Sequence, residues 1–148
     1  MVTPTFSSAM LHDNLIHGIT LPYLDSMEST LSFDIDHILK CVHCSPNTGE
    51  SIFLVSKALL SFHHVTDLTL NITWENSHYS HSEQGLFIIE AQREKVDTVL
   101  RLNEYYKWNI ITNEKNYVIS FGAASMSLEL IGEPKRVNRQ HLLKHERI

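Results

Sequence analysis

The chain predicts a mainly β protein, an antiparallel two-layer sandwich or partly closed barrel of about eight short strands with little helix. Three observations carry that expectation. Apolar residues recur at every second position in one short run after another, which is strand periodicity. Turn-forming Gly, Pro, Asn, Asp and Ser separate the runs. No G-x-G-x-x-G or phosphate loop occurs, and strands do not alternate regularly with long helical patterns, so the α/β nucleotide-binding classes are disfavoured. At 148 residues the chain fits a single domain, 1–148, able to bury roughly two-thirds of its unfolded surface. Its ends, 1–10 and 135–148, are expected to be loosely packed.

After a lead-in from Met1 to Ala9, the stretch Asn14 to Leu21 reads as a first strand, with Leu15, His17, Ile19 and Leu21 on one face and Asn14, Ile16, Gly18 and Thr20 on the other. Pro22 and Asp25 to Ser29 make a turn, and Thr30 to Ile38 returns as an antiparallel partner. Leu31, Phe33 and Ile35 alternate there with Ser32, Asp34 and Asp36. The alternation slips at Ile38 and Leu39, which predicts a bulge or strand end near His37. Ser45-Pro46-Asn47-Thr48-Gly49 is a turn. Ile52 to Val55 forms a third strand, and the alternation Ala58, Leu60, Phe62 comes after it.

Asp67 to Trp74 has the cleanest alternation, predicting a sheet with one wet face. Glu75 to Gly85 reads as a loop and Leu86 to Ala91 as a strand. Gln92 to Leu102 fits either period and is assigned as strand. Tyr106, Trp108 and Ile110 form a strand joined by a turn at Asn113 to Asn116 to Tyr117, Ile119 and Phe121. Gly122-Ala123-Ala124 ends that run, and Met126, Leu128 and Leu130 form a last strand closed by Gly132 and Pro134. The basic tail from Lys135, with Arg136, Arg139, Lys144 and Arg147, either folds back over an edge strand or frays.

Several of these segments carry a resemblance. Leu11-His12-Asp13-Asn14 with His17-Gly18, then Leu31-Ser32-Phe33-Asp34-Ile35-Asp36-His37-Ile38, then Ala58 to Leu68 resemble a group of small uncharacterised bacterial proteins with an HDN segment, a DIDYI-like segment and an ATLxFHDVTDL-like segment. The likeness covers the first half well and continues through the strands near Trp108 and Phe121. Lys40-Cys41 stands where that pattern carries Trp, and His64 where it carries Asp. The resemblance implies kinship of fold and no particular activity. In size and opening segment the chain also resembles the small β-rich immunity proteins of bacterial toxin systems.

Composition bounds the partners. The formal charge is −5, with 12 basic and 17 acidic side chains, which disfavours nucleic acid and anionic membranes. No apolar run approaches the ~20 residues of a membrane helix. The N-terminus lacks a basic residue followed by an apolar stretch, so no secretory signal is expected and the cytoplasm is the default location. Cys41 and Cys44 cannot staple distant segments, imply no oxidising compartment, and are expected to be buried or half-buried thiols. Their C-x-x-C spacing has too few companions for zinc unless His78 and His81 fold across. The ten histidines are spread through the chain and would reverse the sign of its charge if all were protonated.

Two sets of residues are candidates for function. His12, Asp13, Asp34, Asp36, His37, His63, His64 and Asp67 are the polar groups expected to gather at one rim of the sheet, because a hairpin of the first two strands brings the His12 end beside the His37 end. Such a rim suits a zinc or other divalent-metal site built on His12, Asp13, Asp36 and His37, or an Asp-oriented histidine acting as general acid or base. It equally suits a hydrogen-bonded network that fixes strand register. Asp34 and Asp36 share a strand face ~7 Å apart. Tyr105 and Lys107 are the candidate protein-contact face. The expectation is a non-enzymatic interaction or accessory protein that binds a protein partner or itself and needs no cofactor, with a metal-dependent enzyme as the alternative.

Overall fold

The computed structural model describes residues 6–22, 28–45, 47, 49–73, 85–97 and 104–147. Nine strands occur in this order: β1 Leu15–Thr20, β2 Thr30–Cys44, β3 Ser51–His63, β4 Thr66–Asn71, β5 Leu86–Lys95, β6 Tyr106–Thr112, β7 Val118–Ala123, β8 Ser125–Leu130 and β9 Lys135–Val137. A 3-10 turn over Lys144–Arg147 is the sole helical element among the described residues. All strand pairs are antiparallel and run in the spatial order β4-β7-β6-β5-β1-β2-β3-β8, with β9 also paired to β3. The sheet does not close into a barrel. Its halves nevertheless face each other. Phe62 of β3 packs edge-on against Trp108 of β6 and Phe121 of β7, with ring centroids 4.9 and 4.7 Å apart, although four strands separate β3 from β7 in the order. Leu31, Phe33, Ile35, Ile88, Ile110 and Ile119 complete this inner core.

The fold-over happens at β1 and β5, which share only the pairs Leu15↔Phe87 and Ile16↔Leu86. The narrow junction is reinforced where β1 begins: Asp13 N–H donates to the Ile88 carbonyl at 2.7 Å, and Ile88 N–H to the Asn14 carbonyl at 3.0 Å. Asn113 does the same beside it, accepting from Phe87 N–H through Oδ1 and donating to the Gly85 carbonyl, each at 3.0 Å.

Alternation predicted most strands and misplaced the phase of β1. In β1 the register shifts between Ile16 and Gly18, leaving His17 as an extra residue. A bulge of this kind reverses the phase of the residues beyond it. Ile16 is buried and Ile19 also packs on the core, so the predicted grouping of Leu15, His17 and Ile19 on one face is corrected. In β2 the bulge expected near His37 falls at Leu39: Thr30 through Ile38 stay in register with β3, the first shift lies between Ile38 and Lys40, and the strand runs on to Cys44. Ile38 therefore lies on the outer face with Asp34 and Asp36. It is apolar because a second cluster covers it: Val55, Val137 and Leu142, with Ile38 and Phe53 packed alongside.

That cluster is built by the C-terminal segment. Of the two outcomes open to the basic tail, folding back is the one observed, with β9 pairing Phe53↔Val137 and Val55↔Lys135. Where a turn is expected after β2, Gly49 at φ 69° donates to the Ser45 carbonyl; Pro46 and Thr48 lie outside the described residues. The predicted loop at Glu75 to Gly85, apart from Gly85, and the strand assignment for Thr98 to Leu102 lie outside the described residues.

Candidate functional site

The β1 bulge aims His17 at the outer face of β2, where its Nε2–H donates to Asp36 Oδ2 at 2.7 Å. The same oxygen accepts the Leu142 backbone N–H at 2.9 Å. Arg147 pairs with Asp36 through Oδ1 and with Asp34 through Oδ1, so one guanidinium spans both carboxylates. Asp36 is completely buried, whereas Asp34 keeps 39% of its side chain exposed. Burial holds the His17 imidazole below its ordinary pKa of 6.5; Arg147 and, to a smaller extent, Lys57 push the same way, and Asp34 opposes them. His141 beside it is also lowered, by burial and then by Arg139 and His17. A neutral imidazole oriented by a buried carboxylate is the arrangement of a general base. Here, however, the two donors to Asp36 and its ion-pair partner Arg147 come from β1 or the tail, and they tether both to β2.

Asn14 ends the β1 side of the hairpin. Its Oδ1 accepts the Ile38 N–H at 3.0 Å and His37 Nδ1–H at 3.1 Å, continuing the ladder one step past the last β1–β2 pair. Asn14 Nδ2 is buried without a hydrogen-bond partner. Burial lowers the His37 pKa. His12 contacts Asp13 at 3.0 Å, and Asp13 also accepts from Gln140 Nε2 at 3.0 Å.

His63, His64 and Asp67 lie at the other end of β2, since Thr30 pairs with His63 while His37 pairs with Ser56. His63 bridges Glu28 at 2.7 Å and Ser127 at 2.8 Å. His64 and Asp67 take left-handed backbones, φ 58° and 53°, in the turn before β4 and the bulge at its start. The His64 carbonyl accepts the Tyr105 hydroxyl at 3.0 Å, and Thr66 Oγ1 lies 2.5 Å from the same hydroxyl.

The single predicted rim is thus three separate groups, and the expectation that its residues meet is corrected. Pleating is one reason: Asp36 and His37 are successive strand residues on opposite faces, so they cannot share an ion with His12 and Asp13. Among the described residues no three His, Cys, Asp or Glu side chains stand where they could hold a metal. Tyr105 is also misplaced in the prediction. It precedes β6, escapes the strand phase, and is only 6% exposed, leaving Lys107 as the exposed member of the pair. The cysteines are not the buried or half-buried thiols expected; both are exposed and joined as a disulfide. His78 and His81 lie outside the described residues.

Sequence reasoning missed Asn14, His17, Leu142 and Arg147. The apolar Ile38 on a polar face and the Leu142–Leu143 pair within a basic tail were the available signals that the tail covers β2. No protein-family model, curated protein or solved structure matches the chain.

Proposed function

We propose that this chain is a non-enzymatic interaction protein that binds an extended segment of a protein partner as an added strand along β8. The supporting observation is the contrast between the two ends of the sheet. At β4 the register with β7 shifts between Thr66 and Thr69, and Asp67 sits at the break with a left-handed backbone, a device that blunts an edge. At β8 six residues run in unbroken register with β3, and among the described residues nothing pairs on the far side. Ile131 N–H bonds to the Lys57 carbonyl, so alternate pairing turns the backbone groups of Met126, Leu128 and Leu130 outward. Leu130 and Ile131, 41% and 42% exposed, supply apolar contacts at the end of that edge. Strand addition draws affinity from such free backbone groups and specificity from neighbouring side chains.

The proposed setting is the bacterial cytoplasm, and the resemblance to immunity proteins makes a toxin domain the first class of partner to try. Among the described residues no helix is long and apolar enough to cross a membrane.

The test uses Leu130→Pro, which removes an outward N–H and leaves the β3 ladder bonded, and Leu130→Lys, which places a charge on the edge. Partner capture by the native protein, lost in both variants while circular dichroism and thermal midpoint hold, is the expected result. Undiminished capture by both folded variants rejects the β8 edge. Sedimentation that changes with concentration for the native chain, and not for Leu130→Pro, assigns the edge to a second copy instead.

A further inference from the structure

We propose that Cys41 and Cys44 form a thiol–disulfide exchange site for low-molecular-weight thiols and disulfides. In an unbroken strand, residues three apart point to opposite faces and stand about 10 Å from one another. Here the register with β3 shifts between Cys41 and His43, leaving Val42 without an opposite residue, and the Cα atoms of the two cysteines approach to 6.1 Å. That is bridging distance. The bulge in β2 therefore sets up the Cys41–Cys44 bond.

The location argues against a structural role for the bond. β1 pairs no further along β2 than Asp36, so among the described residues β3 is the one strand that pairs with the distal end of β2. Both cysteines are exposed there, as are Lys40 and His43. The bridge closes a loop with only Val42 and His43 inside it, and such a short loop constrains the unfolded chain little. Both ends already sit in the ladder, Cys41 opposite Phe53 and Cys44 opposite Ser51, so reduction leaves the β2–β3 hairpin paired. A bond that is accessible and joins nothing distant is one that exchange can break and remake without unfolding.

The reaction balances. A small thiol loses its proton to solvent, and its thiolate attacks one cysteine sulfur. A mixed disulfide forms, and the other cysteine departs as a thiolate that takes a proton. A second small thiolate attacks its own kind in the mixed disulfide. The products are a small-molecule disulfide and the protein dithiol, two electrons having passed to the protein. Oxidation is the reverse, with the small disulfide as oxidant.

Glutathione is the probe. The protein is equilibrated at a series of reduced-to-oxidised glutathione ratios, quenched, labelled with a maleimide without denaturant, and weighed by mass spectrometry. The expected result is a reversible passage between no label and two labels per chain, with a thermal midpoint that moves by no more than ~2 °C. Cys44→Ser and Cys41→Ser, made in parallel, are each expected to collect one glutathione from the oxidised form. Labels that appear only after denaturation overturn the proposal, as does a pair that stays unlabelled or fully labelled at every ratio. Failure of both folded serine variants to form the mixed disulfide also overturns it.

Discussion

Arg147, next to the last residue of the chain, pairs with Asp36, a carboxylate buried in the middle of β2. The same side chain reaches Asp34, and the backbone of Leu142 donates to Asp36 from within the same segment. A buried carboxylate is tolerable only with its charge matched and its oxygens hydrogen-bonded. The docked tail supplies the opposite charge through Arg147 and a hydrogen bond to Oδ2 through Leu142, and in return Asp36 fixes the path of the tail over Ile38 and Val55.

Removing one partner of such a pair leaves the other charged and buried. Arg147→Ala is expected to cost about 3–5 kcal/mol in urea unfolding and to abolish slow hydrogen exchange at the Leu142 amide. Asp34→Ala, at the more exposed carboxylate, is expected to cost less than about 1 kcal/mol. Equal costs for the two would show that Asp36 is not the anchor.

This relationship marks where the sequence stopped being legible. Alternation within Leu31 to Ile35, Tyr106 to Ile110 and Met126 to Leu130, and the turn signals between runs, were enough for strands and fold class, because each is a local pattern. The fold-over at β1 and β5 rests on two residue pairs, and nothing local announces it. A bulge inserts one residue without changing composition, so Ile16 and Ile19 looked as though they faced opposite ways. Ile38 read as a broken strand because its cover, Leu142, comes from the far end of the chain. Asp34 and Asp36 were recognisable as a polar pair; that an arginine in the tail answers them was not, since ion pairs between distant segments leave no spacing to detect.

The lowered histidines give stability a sign with pH. His17, faced by Asp36, Asp34, Arg147, Lys57 and His141, titrates below 6.5 in the folded protein, as do His37 and His141. Between the folded and unfolded values the unfolded chain binds more protons, so stability rises with pH there. Their contribution is complete above about 6.5 and is lost as pH falls through the lowered folded values. Urea midpoints measured from pH 8 to pH 5 are expected to fall, and to fall less in His37→Gln. A midpoint flat across that range would contradict the burial of all three.

Gly122 is required by contact, since its backbone is not left-handed. A Cβ there would sit 2.8 Å from Tyr105 Cε1 and 2.9 Å from both Thr66 Oγ1 and the Tyr105 hydroxyl, atoms held by the hydrogen bond to His64. Gly122→Ala is therefore expected to destabilise by about 1–3 kcal/mol. Gly18 is the comparison, because its added Cβ would meet only Asp34 Cβ, at 3.9 Å. Gly18→Ala is expected to be neutral or to stabilise by up to about 1 kcal/mol. Denaturation of both variants under one set of conditions checks the contrast.

Asn14 sets the surroundings of one lowered histidine. Its Oδ1 serves Ile38 N–H and His37 Nδ1–H, while Nδ2 is buried without a partner. Asn14→Ala takes the acceptor from a backbone donor at the end of the ladder and is expected to cost about 1–3 kcal/mol. Asn14→Asp keeps the acceptor and removes the unpaired donor, but sets a negative charge against the His37 ring. The attraction favours imidazolium, so the His37 pKa should rise from its depressed position, and the stability that this histidine loses on acidification should shrink. Titrating His37 ring protons by NMR in the native and Asn14→Asp proteins reads this directly. A His37 that titrates identically in both would mean that its ring does not contact residue 14.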